Sequence, residues 1–411
     1  MIAKINHHSW SKISLFFLMI TSMLGLIIRT LPFQNLIDNS YFYGLLQSHS
    51  HTGFLGWVFI AVYILILKKY SSPDIFNIRK TKYILLLLCF FIGGMTISFP
   101  FFGYNFISIS FLSLFLIFSY YSLYYMVKSI KTDLKQTISY RYIKAAFILY
   151  LLSSISPWAL GPIMALGYKK TALYYNDIFF YLHFLYNGFI VLSLIGLLFL
   201  DSETENKSNK INDNLKNAFK YILIGTILNY SESVLWTKPH ISINYIAFIS
   251  SILLIVGLYY LWRAYKSINK KNHNYAFLLR FGLFMFLLKS ILQLFQSIPV
   301  FASISYDLKS YFIIGYIHLV TLGFITPMLL SLYINNKLFS TSLYLKLGIY
   351  TYLIGFILTE FVLFGQGILL WFGNTYFMRN FNLYMLFSSA FLFIGLSLIY
   401  ISSYKKIDLP A

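Results

Sequence analysis

Charge is what this sequence has least of. Asp, Glu, Lys and Arg make up only 11% of its 411 residues, against about 25% in soluble globular chains. That excludes an ordinary soluble fold. Cysteine is nearly absent too: Cys89 stands alone inside an apolar run. No intramolecular disulfide can form, and a thiolate metal site is not expected. The basic N-terminus runs into an apolar segment with no small-residue cleavage site after it, which reads as a retained first helix rather than a removed leader. Strand-like alternation is also missing from the long apolar runs, which argues against a barrel.

What the sequence has is hydrophobicity, at 59% of residues. Many runs reach the ~20 residues needed to cross a bilayer core, and backbone groups in lipid must be satisfied within the segment, so those runs are helices. Twelve spans are expected, near 13–31, 50–67, 83–99, 106–127, 145–166, 178–200, 220–237, 244–262, 276–296, 312–334, 345–365 and 383–403. The expected fold is an all-α polytopic membrane bundle, one integral domain over residues 1–411, in three four-helix thirds.

The formal charge of +20 would suggest a nucleic-acid partner in a soluble chain. Its distribution says otherwise. Of the 32 Lys and Arg residues, 24 fall in the termini and the even-numbered loops. Six lie on the other side: Arg29, Lys169, Lys170, Lys238, Lys309 and Arg379. By the positive-inside rule both termini are expected in the cytoplasm of a cell-membrane protein. The charge reads as a topology signal and a contact with anionic headgroups, with no nucleic acid involved.

One motif recurs. A histidine is followed after four residues by glycine and an aromatic, at His51-Gly56-Trp57, His183-Gly188-Phe189 and His318-Gly323-Phe324. The histidines are 132 and 135 residues apart, so the chain reads as three similar thirds. With His49 they occupy the outer part of spans 2, 6 and 10: His49 and His51 at the mouth of span 2, the others about two turns in. Imidazole is a common ligand of transition metals and of heme iron. His49 and His51 project about 200° apart on a helix, so only one can face a given metal. The glycine serves close helix packing or leaves room beside a flat cofactor. A membrane histidine can equally be a hydrogen-bonding link between helices. His7, His8, His240 and His273 fall in termini or loops and read as solvated.

Several spans carry polar interruptions. Span 5 holds Pro157 and Pro162, which kink a helix. Asn229, Tyr230 and Glu232 lie in span 7, Lys289 in span 9 and Glu360 in span 11. Ionisable groups at such depth tend to face the bundle interior and pair, either as structural ion pairs or along a proton path. Tyr186, Asn187 and Tyr316 flank the motif histidines.

Twelve helices with histidines on spans 2, 6 and 10 resemble subunit I of the heme-copper oxidase superfamily. The His49-x-His51…Gly56 and His318-x4-Gly323 elements are also similar to the NnrS family. The resemblance covers the whole chain in topology and three short motifs in sequence. It implies that His49 or His51, with His318, ligates one heme and that His183 matches a copper ligand. Departures are clear. Span 7 has Tyr230 and Glu232 where the oxidases have paired copper histidines, span 10 has Tyr316 two residues before its single histidine, and span 6 lacks the His-Pro-Glu pattern. A full oxygen-reducing centre is therefore not expected. The leading expectation is a membrane protein binding heme, and copper through His183, for electron transfer or nitric-oxide or oxygen-related chemistry, with a redox partner or a small diatomic ligand. The alternatives are a small-solute transporter using Glu232, Lys289 and Glu360, and a cofactor-free sensor or assembly protein.

Overall fold

A computed structural model describes residues 7–34, 39–72, 77–206, 209–267, 275–339, 341–374, 376 and 380–404. His273 and Arg379 lie outside the described residues.

Helix follows helix in three parallel sequences of elements. The first third contains α1 (His7–Thr30), α2 (Asn39–His51), a π-helical segment π1 (Thr52–Phe59), α3 (Ile60–Tyr70), α4 (Ile78–Phe102) and α5 (Phe106–Ser129). The second contains α6 (Ile138–Ser153), α7 (Ile155–Ala165), α8 (Ala172–Leu182), π2 (His183–Ile190), α9 (Val191–Asn206), α10 (Asn209–Leu228), α11 (Tyr230–Val234) and α12 (Ile241–Lys266). The third contains α13 (Ala276–Gln296), α14 (Pro299–Asp307), α15 (Lys309–His318), π3 (Leu319–Ile325), α16 (Thr326–Asn335), α17 (Leu343–Trp371) and α18 (Phe381–Ser402).

Local chemistry sets the ends. Asn77, Thr137, Thr171 and Ser342 each cap a helix by accepting a backbone N–H, which satisfies donors that have no partner within the helix. Gly103 ends α4 at φ +56°, a left-handed conformation that side chains disfavour. Proline 157 explains the break in span 5. A proline ring clashes with the carbonyl four residues before it, and α6 stops at Ser153.

Eleven of the described helices are long and apolar enough to cross a membrane, and no named strand occurs among the described residues. The chain is thus an all-α, multi-pass membrane protein. The stretch at 220–237 departs from expectation. There α10 starts in the polar run from Asn209 and ends at Leu228, and only the short α11 and a 3-10 turn follow. Asn229, expected within a span, is the turn residue.

Contacts divide the chain into two compact units, Met1–Lys131 with Leu329–Ala411, and Thr132–Met328. In the first unit α1 packs on π1, α2 and α18, α4 on α5, and α17 on α18. In the second, α6 packs on π2 and α9, α10 on α12, and α13 on π3. Burial is unequal among the spanning helices. In the three that bear the histidine motif, 78%, 89% and 61% of the apolar window is buried, against 33–44% in the other eight. Those others display large exposed residues such as Phe90, Ile97, Phe106 and Phe361, as a lipid-facing surface requires.

Candidate functional site

The three motif copies share one local structure. Each histidine stands at the start of a π-helical segment: His51 directly precedes π1, His183 opens π2 and His318 directly precedes π3. A π turn closes between residues five apart rather than four, and such segments are frequent at functional sites. The wider turn brings the glycine at the fifth position close to the histidine's own face, where an α-helix would turn it away.

Two of the three glycines serve helix packing. A Cβ on Gly56 would meet Cγ of Phe17 on α1 at 2.6 Å, and one on Gly188 would meet Leu149 on α6 at 3.0 Å. The aromatic that follows is buried in all three copies. Trp57 meets Tyr333 edge-on at 5.8 Å, Phe189 meets Tyr150 at 5.1 Å, and Phe324 stacks on Phe286 at 4.6 Å.

The histidines differ in what holds them. His49 and His51 sit within one continuous helix that begins near Tyr41, not at its mouth as the expected span limits placed them. That puts them about as far along their helix as His183 and His318 are along theirs. His49 turns toward α1. Its Nδ1 lies 2.8 Å from the Thr21 carbonyl, and its ring meets the bare face of Gly25. His51 turns toward α4, stacking on Phe99 at 4.8 Å, with Nδ1 2.9 Å from the carbonyl of Gln47. A carbonyl only accepts, so both rings carry their proton on Nδ1 and their lone pair on Nε2.

His183, 2% exposed, is held the other way round. Its Nε2–H donates to the Thr226 carbonyl at 2.8 Å, and Nδ1 accepts from Asn187 Nδ2 at 3.3 Å. Thr226 lies just before the break at Asn229, so His183 binds backbone where the helical ladder is interrupted. His318 is half-buried at the junction of α15 and π3.

A polar cluster surrounds His183 in the second unit. Asn229 Nδ2 donates to Ser250 Oγ at 2.9 Å, and Gln293 Nε2 donates to the oxygen of Asn229. Ser251 Oγ donates to Glu232 Oε1 at 2.9 Å. Lys289, 2% exposed, interacts through space with Glu232 and lies over the Phe286 ring at 5.4 Å. The hydroxyls of Tyr186 and Tyr316 pair. The Tyr230 ring meets His183 edge-on at 5.9 Å, while its hydroxyl donates to the Asn176 carbonyl at 3.1 Å. Glu360 stands apart on α17 in the first unit, where both of its carboxylate oxygens are buried without a hydrogen-bond partner.

Sequence reasoning missed Thr21, Phe99, Thr226, Ser250, Ser251 and Gln293. Gln293 had a readable signal, four residues after Lys289 on the same helical face. Phe99 and the backbone carbonyls had none. Two histidines expected to be solvated have structural roles: His8 Nδ1 bonds the Leu338 carbonyl, and His240 caps α12.

Among the described residues, no three His, Cys, Asp or Glu side chains converge as a metal-holding group. No known protein family matches the chain, and no curated protein matches it. Fold and site together define a class: a multi-pass helical membrane protein whose most buried helices each carry a histidine-headed π segment.

Proposed function

We propose that this protein binds heme through the histidines of its inner helices, for electron exchange or for binding a small diatomic molecule. The carrying observation is the anchoring of His49 and His51. Histidines that ligate metals characteristically donate one ring N–H to a backbone carbonyl or carboxylate, which orients the ring and leaves the other nitrogen to the metal. Both rings have that arrangement on Nδ1, in apolar surroundings, and they face different helices, so one of them serves. His318, in the second unit, bears the same motif and is a separate candidate.

A heme would supply one-electron chemistry or a coordination position for a diatomic. The chain's own part is to fix the tautomer and exclude water. Copper does not fit. His183 has both nitrogens engaged by protein partners, and no cluster among the described residues supplies further ligands.

The test is a reduced-minus-oxidised absorption spectrum, with metal analysis, of protein purified after expression with ample heme. Iron in near-stoichiometric amount and a Soret band are expected. The band should vanish in one of His49→Ala and His51→Ala, weaken in His318→Ala and persist in His183→Ala. A wild-type protein without Soret absorption would sink the proposal.

A second reading, transport of a small solute, draws on the broken α10–α11 helix beside Glu232 and Lys289. Half-helices around a buried site are a transporter feature. On that reading, replacing His49, His51 and His318 together leaves transport intact.

A further inference from the structure

The second unit contains more polar chemistry than its packing uses. Two amide groups are each engaged through nitrogen and orphaned at oxygen. Asn187, 4% exposed, donates to His183, and its Oδ1 has no hydrogen-bond partner. Gln293, 5% exposed, donates to Asn229, and its Oε1 likewise has none. A buried amide oxygen without a donor is destabilising, and ordered water is the usual remedy inside proteins. Close by are a carboxylate and an ammonium. Glu232 accepts from the Ser251 hydroxyl on Oε1 and interacts with the neighbouring amide of Asn229. Lys289 is on α13, one turn before Gln293 on the same face.

Other ionisable groups facing the cluster come from each packed element. His183 and Tyr186 project from π2, Tyr316 from α15 and Tyr230 from α11, whose charge environment includes Asp177 on α8. The α12 helix contributes the serines 250 and 251 alone.

We propose that this cluster is a proton-exchange site: Glu232 takes up and releases one proton through water held by the oxygens of Asn187 and Gln293, with Lys289 as its cationic partner. On uptake, a hydronium ion gives its proton to a Glu232 carboxylate oxygen and leaves as water, and the Glu–Lys pair goes from neutral to one positive charge. Release reverses this. Lys289 makes the deprotonated state tolerable, because an isolated carboxylate in the membrane interior is costly and a paired one much less so. Orphan acceptors fit the site to a water or hydronium donor, not to an anion. The inference rests on neither the heme nor the transport reading.

Infrared difference spectroscopy of the full-length protein in lipid, titrated with pH in H2O and D2O, tests it. A carboxyl C=O band should appear on acidification and shift in D2O, showing access to water. It should be lost in Glu232→Gln and kept in Glu360→Gln. In Ser251→Ala, a mild variant that keeps both charges, the band should change frequency. In Lys289→Met its midpoint should move to higher pH by about one unit or more, the size expected on losing an adjacent opposite charge, and Lys289→Arg should restore it. A band unaffected by Glu232→Gln, insensitive to D2O, or with a midpoint unmoved in Lys289→Met overturns the proposal.

Discussion

His49 and His51 are two residues apart, and the structure sends them to different helices, α1 and α4. A spacing of two on a helix projects side chains about 200° apart, so this much was legible in the sequence. The protonated nitrogen was not, because it depends on carbonyls contributed by Thr21 and Gln47. The same holds for His183, whose partner Thr226 is 43 residues away. His183→Ala removes the donor to that buried carbonyl and should lower stability by about 1–3 kcal/mol. Thermal unfolding in detergent, followed by tryptophan fluorescence, would show it as a lower midpoint; an unchanged midpoint contradicts the assigned bond. Gly56→Ala places a methyl group 2.6 Å from the Phe17 ring, and overpacking of this kind typically costs about 1–3 kcal/mol. Gly93→Ala has no neighbour within 4 Å and should be neutral in the same assay.

At the scale of the element, the recurrent π segment is the main result. An α-helical reading of the motif separates histidine and glycine onto different faces. The observed π turn brings them together, and the glycine is filled by Phe17 in one copy and Leu149 in another. This assigns the glycine of those two copies to close helix packing. Widened turns have poorer backbone bonding than regular helix, so hydrogen exchange followed by mass spectrometry should find faster exchange across Thr52–Phe59, His183–Ile190 and Leu319–Ile325 than across the buried α3 that follows π1. Equal protection throughout would mean that these segments are ordinary helix in the membrane. The break between α6 and α7 was readable from Pro157 alone, through its clash with the carbonyl at Ser153. The break at Asn229 was harder to place, because no proline or glycine marks it.

At the scale of the molecule, eleven apolar helices establish a multi-pass membrane protein. Their loops make the orientation testable. With Cys89 replaced by serine, Lys170→Cys should react with an impermeant maleimide in intact cells, and Thr132→Cys should react only after permeabilisation. The opposite pattern would reverse the cytoplasmic placement expected for the N-terminus. The histidine-bearing helices are also the most buried of the spanning set.

The sequence by itself determined the class of object. Scarce charge, long apolar runs and the loop distribution of Lys and Arg are additive properties, summed along the chain without knowing what touches what. It also exposed the threefold motif, because a repeat is a relation within the sequence. Only the tertiary structure decided what each copy does. Which nitrogen of His49 and His183 carries the proton, which glycine is filled by a neighbour, and which buried amide oxygen lacks a donor are set by residues distant in the chain. Thr226 beside His183, Phe17 against Gly56, and Gln293 joined to Asn229 are the particular contacts that fix them. A buried polar group is costly or useful according to its partners, and partners are chosen by packing.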